Sequence, residues 1–144
     1  GEHSKALKWV NRILNDKQLD QKEDIVSFTQ LLDLLIHIEM NSNQLLPYAL
    51  KNTQRFLKSR NRLFAFEKVF LHFISKIIKS NDVFEMETLW EEIYKELTFI
   101  NDDSMESVAL EYFDFKSWAE SKFKRKAFSD VVFGKFNQRF LANV

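Results

Sequence analysis

The sequence predicts an all-α fold, and three observations carry that expectation. Only two of its 144 residues are Gly and one is Pro, too few to build the tight turns of a sandwich or barrel. Apolar residues recur with helical spacing in seven consecutive segments. No stretch holds the two-residue alternation of a strand. The length suits a single domain covering 1–144, able to bury a core without staples. Fifteen Phe bring aromatics to 15%, which predicts a core rich in large rings.

The segments follow one another closely. Residues 2–15 gather Ala6, Leu7, Trp9, Val10, Ile13 and Leu14 on one broad face. Residues 21–40 carry Ile25, Phe28, Leu31, Leu32, Leu35, Ile36 and Ile38, an arc wide enough to need cover on two sides. Asp20 is placed to cap this helix with Glu23 as its reciprocal partner. After Asn41-Ser42-Asn43, residues 43–59 form a returning helix with Pro47 in its first turn. Residues 63–79 present Phe66, Val69, Phe70, Phe73, Ile74, Ile77 and Ile78. Residues 83–99 present Phe84, Met86, Leu89, Trp90, Ile93, Tyr94 and Leu97. A single helix is expected over 105–123, capped by Ser104. A weaker one spans 128–141, where Gly134 costs about 1 kcal/mol relative to Ala. The expectation is six helices and a weaker seventh, with short links that return each helix beside the last.

Composition excludes several functions. With no Cys, disulfide frameworks, thiolate metal sites and Cys nucleophiles are ruled out. There is no Gly-rich phosphate loop and no nucleophile elbow, so no enzyme is expected. His3, His37 and His72 form no H-x-x-x-H or H-x-x-E pair of the kind a metal site uses. Glu85, Glu87, Glu91, Glu92 and Glu96 read as a solvated acidic face. No cofactor is expected. No apolar run reaches the roughly 18 residues of a membrane span, and no signal-peptide pattern is present. The expected setting is the cytoplasm.

The net charge is zero, but the charge is polarised. Residues 51–79 hold eight bases and only one acid, Glu67, for +7. Residues 82–120 hold twelve acids against Lys95 and Lys116, for −10. Residues 121–144 return to +5. Such polarity predicts contacts between the basic stretch and the acidic one, within the chain or across a weak homodimer.

An internal repeat is visible at an offset of 40 residues. The pattern Gly1-x-His3-x-x-Ala6-x-x-x-Val10-x-x-Ile13 becomes Asn41-x-Asn43-x-x-Leu46-x-x-x-Leu50-x-x-Thr53. The first string resembles the second helix of a tetratricopeptide repeat, with His3 where the family has Tyr and Ile13 where it has a small residue. The runs from Ala6 to Asp16, from Thr53 to Leu57 and from Glu111 to Trp118 resemble segments of helical-repeat proteins of Bacteroidetes. The resemblance implies antiparallel helix pairs stacked as a right-handed superhelix. It also implies that the chain is the C-terminal part of a longer protein, with the partner of its first helix missing. An apolar face including some of Ala6, Leu7, Trp9, Val10 and Ile13 would then be uncovered.

By the same resemblance the expected function is protein–protein interaction or scaffolding, with another protein or a peptide as partner. A binding groove would use the non-core side of the first helix of each pair. Its candidates are Gln30, Asp33, His37, Lys68, His72 and Lys76; the alternative is a solvated face with His37 partly buried. A second candidate is the basic stripe Lys51, Arg55, Lys58, Arg60 and Arg62. Its first three members recur at i, i+4 and i+7 and could track phosphates. Neutral overall charge and the lack of a recognition motif weigh against nucleic acid.

Overall fold

Helix α2 (Glu23–Glu39) is apolar on most of its circumference, and the chain covers it from two sides. The computed structural model describes residues 2–16, 23–60, 64–100 and 112–144. Among them it contains seven helices and no strand. They fall into two compact units, residues 1–78 and 79–144. The boundary between them falls where the sequence changes from the basic stretch 51–79 to the acidic stretch 82–120.

In the first unit, α1 (His3–Leu14) and α3 (Leu46–Ser59) both pack on α2. Leu31, Leu34 and Ile36 of α2 lose nearly all contact with water. Val10 is the buried anchor of α1, while Trp9 on its other flank is exposed under the Arg12 guanidinium, 5.4 Å from the ring centre. The turn from α2 to α3 is closed by Asn41, whose φ of 51° is left-handed. Ser42 N–H donates to His37 O and Asn41 N–H to Ile38 O, which completes a Schellman cap. Asn tolerates that conformation well. The chain therefore reverses, and Thr53 of α3 meets Gln30 of α2 through a 3.1 Å hydrogen bond. Pro47 lies in the first turn of α3, as its missing N–H requires. Helix α4 (Ala65–Lys79) buries Phe66, Phe70, Phe73 and Ile74, with the first two rings stacked at 5.9 Å.

The second unit holds α5 (Val83–Phe99), α6 (Phe115–Phe123) and α7 (Phe128–Ala142). Asp82 caps α5 by accepting from Phe84 N–H, and Leu89, Ile93 and Leu97 form its buried stripe. Trp90 meets Trp118 edge to face at 5.4 Å, and Tyr94 stacks on Phe123. Residues 105–123 are not one helix. Asp114 accepts from Ser117 N–H and starts α6 afresh at Phe115. An Asp that can satisfy an orphan N–H competes with helix continuation. The expected caps Asp20 and Ser104 lie outside the described residues.

Helix α6 ends in a second Schellman cap, but here the left-handed residue is Arg125, with φ of 52°. A side chain at this position crowds its own backbone. Its ion pair with Glu87 is largely exposed and offsets little of that strain. Arg125→Gly should therefore raise unfolding stability by about 0.5–1 kcal/mol, read from the urea midpoint. A fall in the midpoint would show that the ion pair outweighs the strain.

Candidate functional site

Arg60 is the member of the basic stripe that the fold withdraws from the surface. It caps the end of α3 and turns inward, its side chain only 6% exposed against 2% for Glu67. Its Nη2 donates to both carboxylate oxygens of Glu67, at 2.9 and 2.7 Å. Nη1 donates to Ser27 Oγ of α2 at 2.6 Å. Glu67 Oε2 also accepts from Phe64 N–H at the start of α4. Three helices thus meet at one ion pair. The expectation that Arg60 seeks the acids of 82–120 is corrected: its partner is Glu67, the single acid of its own stretch. Phe64 lies 5.8 Å from the guanidinium, so its ring is stacked on Arg60.

Lys51, Arg55 and Lys58 remain exposed along α3. Arg62 lies outside the described residues. Of the six expected groove residues, Gln30 is engaged by Thr53, and Asp33 and His37 are buried in α2. Asp33 and His37 therefore do not line a surface groove. Lys68 and His72 are exposed on α4, and Lys76 is half-buried there. The structure joins Lys68 and His72 not to the other groove candidates but to Lys58 of the stripe. With Gln54 and Leu71 they line a pocket of about 260 Å³ between α3 and α4. Helical spacing had placed Lys58 and Lys68 in separate groups, because it says nothing of which faces of two helices meet.

In the second unit a pocket of about 300 Å³ is lined by Phe84, Glu87, Thr88, Glu91, Phe123 and Arg125. Its charges are matched, since Glu87 pairs with Arg125 and Glu91 with Lys95. Lys135 of α7 reaches across to α6, donating to Ser117 Oγ at 2.8 Å and pairing with Glu120 at 2.7 Å. Lys124 completes the clamp on Glu120. Ser117 itself is fully buried. Among the described residues no group of three His, Cys, Asp or Glu could hold a metal ion.

The outward face of α7 was not foreseen as a site. Phe133, Phe136, Phe140 and Leu141 are 68, 63, 64 and 73% exposed. The three rings recur at i, i+3 and i+7, opposite Val131 and Lys135 that face α6. The signal was present in the sequence: α7 is apolar on two sides, and a helix can turn only one of them to a single neighbour.

Two predictions follow from the buried charges. Glu67→Gln strands the Arg60 cation and should cost about 3–5 kcal/mol. Arg60→Met with Glu67→Leu, which removes both charges at similar volume, should recover most of it. Urea unfolding of the three proteins checks both, and equal losses for single and double variants would show that the pair's charge is not the cause.

The second concerns pH. Burial pushes the Asp33 carboxyl above its ordinary range, only partly offset by His37 3.6 Å away. Neither Asp33 Oδ1 nor His37 Nδ1 has a hydrogen-bond partner among the described residues. The folded state therefore takes up the Asp33 proton more readily than the unfolded one, so Asp33 adds stability as pH falls. Glu120 has the opposite sign. Burial pushes it up, but Lys124 and Lys135 outweigh burial and hold it low, so its contribution is lost as pH drops through its folded value. Asp33→Asn should raise stability at pH 7 and leave less gain on acidification to pH 5, in thermal unfolding at the two pH values.

No protein-family model, curated protein or solved structure matches the chain.

Proposed function

We propose that the protein is a protein–protein interaction module of tetratricopeptide-like type, scaffolding rather than catalysing, and working in the cytoplasm. The observation that carries this reading is the exposed aromatic face of α7. At about 200 Å² for each aromatic side chain, three rings exposed by two thirds present roughly 400 Å² of apolar surface. That already equals the largest patch of an ordinary monomer, before Leu141 and Val144 are added. Rings of this kind act as anchors in interfaces. Stacked helix pairs would present such a face to the next helix of a partner. No helix among the described residues is long and apolar enough to cross a membrane, so the face is not part of a spanning helix there.

Phe136→Glu with Phe140→Glu tests the proposal. Both side chains are exposed, so the unfolding free energy should change by no more than about 0.5 kcal/mol. Binding to a cognate partner should weaken at least tenfold in calorimetry. Sedimentation at rising concentration shows whether that partner is a second copy. Unchanged binding by the double variant would remove the face from consideration.

A second reading keeps nucleic acid in view, since Lys51, Arg55 and Lys58 are exposed and make no ion pair with the described residues of their unit. Three phosphate contacts to a single strand would give a salt slope of about −2. Binding without that slope would discard it.

A further inference from the structure

We infer that the pocket between α3 and α4 is a binding site for a phosphate monoester, held by Lys58, Lys68, His72 and Gln54. Gln54 and Lys58 stand at i, i+4 on α3, and Lys68 and His72 at i, i+4 on α4. Side chains at this spacing lie one above the other on a helix. Together with Leu71, the two pairs line about 260 Å³ of space between the helices. Four donor-bearing side chains thus surround one volume from two walls.

The charge of the pocket is uncompensated. The one acid of residues 51–79, Glu67, is consumed by Arg60 in the interior. Lys58, Lys68, His72 and Gln54 form no hydrogen bond or ion pair with the described residues of their unit. A pocket with two ammonium groups, an imidazole and an amide, and no carboxylate in its lining, selects an anion. Donors arriving from both walls suit a tetrahedral dianion, whose three free oxygens accept from several directions. A planar carboxylate offers two oxygens and leaves donors on one wall unused. A phosphodiester strand is disfavoured because it needs a track with stacking rings, and Phe64 is stacked on Arg60.

This inference does not rest on the α7 face, and each can fail without the other. The test is a titration of the isotope-labelled full chain with inorganic phosphate, against sodium chloride at matched ionic strength and fixed pH. The His72 ring resonances should shift saturably with phosphate and not with chloride. Lys58→Gln with Lys68→Gln should weaken the effect at least tenfold, whereas Lys51→Gln, outside the pocket, should change it less than twofold. Because these side chains are exposed or line open space, the folded spectrum should persist in every variant. A phosphoserine peptide that binds at least tenfold tighter than both phosphate and its unphosphorylated form identifies a modified side chain as the source. Equal affinity for peptide and free phosphate identifies a small phosphorylated ligand. A shift that follows ionic strength alone, or survives in the double variant, overturns the site. So does a single-stranded oligonucleotide that displaces phosphate and loses as much affinity in Lys51→Gln as in the pocket variant.

Discussion

The first unit is organised by one buried ion pair. Arg60 ends α3, and its guanidinium joins α2, α3 and α4 through Ser27, its own helix end and Glu67. Moving two charges into an interior is costly, and the mutual attraction repays it only when geometry and further hydrogen bonds are complete. Here they nearly are. Glu67 accepts from Arg60 and from Phe64 N–H, which is also the backbone donor that a helix start leaves unsatisfied. The same pair shapes the surface. By taking up the only acid between 51 and 79, it leaves Lys51, Arg55, Lys58 and Lys68 facing water without a counter-charge in their own stretch. The interior and the basic pocket are consequences of one pairing choice.

The second unit solves a related problem with exposed-ended cations. Lys135 and Lys124 reach in from the rim to hold Glu120, their side chains remaining partly exposed. This joins α7 to α6 along one edge only. Phe128 stacks on Phe113 and Val131 is buried, but the next two turns turn their rings outward. A helix held so narrowly keeps its position through few contacts, and Gly134 weakens it further where no neighbour comes within 4 Å of an added Cβ. Local propensity does not explain the helix, and a face that contributes nothing to its own unit gains stability only by being covered.

Most of the helices were legible because the 3.6-residue period is strong and the breaks Asn41-Ser42-Asn43 and Ser80-Asn81-Asp82 are polar and short. Pro47, the two-sided cover of α2 and the seventh helix all follow from the same reading. What the period does not contain is which faces meet. Asp33 and His37 share a face, and so do Lys68 and His72, yet the first pair is interior and the second exposed. An i, i+4 polar pair has the same signature in both settings. Arg60 shows the complementary failure: it reads as one more base in a basic run, and only the turn at the end of α3 sends it inward. Asp114 was legible in principle, since an Asp three residues before a Ser and followed by apolar residues is a cap signal. The long apolar period over 105–123 masked it.

Folding and binding place different demands on the same helices, and the distribution of polar groups separates them. Thr53, Ser117 and Ser121 are buried with every hydroxyl engaged, which is what a folding role requires. Asp33 and His37 are buried without that completeness, so they weaken the fold at neutral pH rather than support it. Lys58, Lys68 and His72 are exposed, and the rings of α7 face water; neither group contributes to its own core. Substitution there leaves packing intact, and the sequence is unconstrained by folding at those positions. The donors of the α3–α4 pocket and the three aromatic rings on one face of α7 are therefore not explained by the packing of their own unit. The two surfaces differ in the force they use: the basic pocket weakens with salt, whereas the aromatic face does not depend on it.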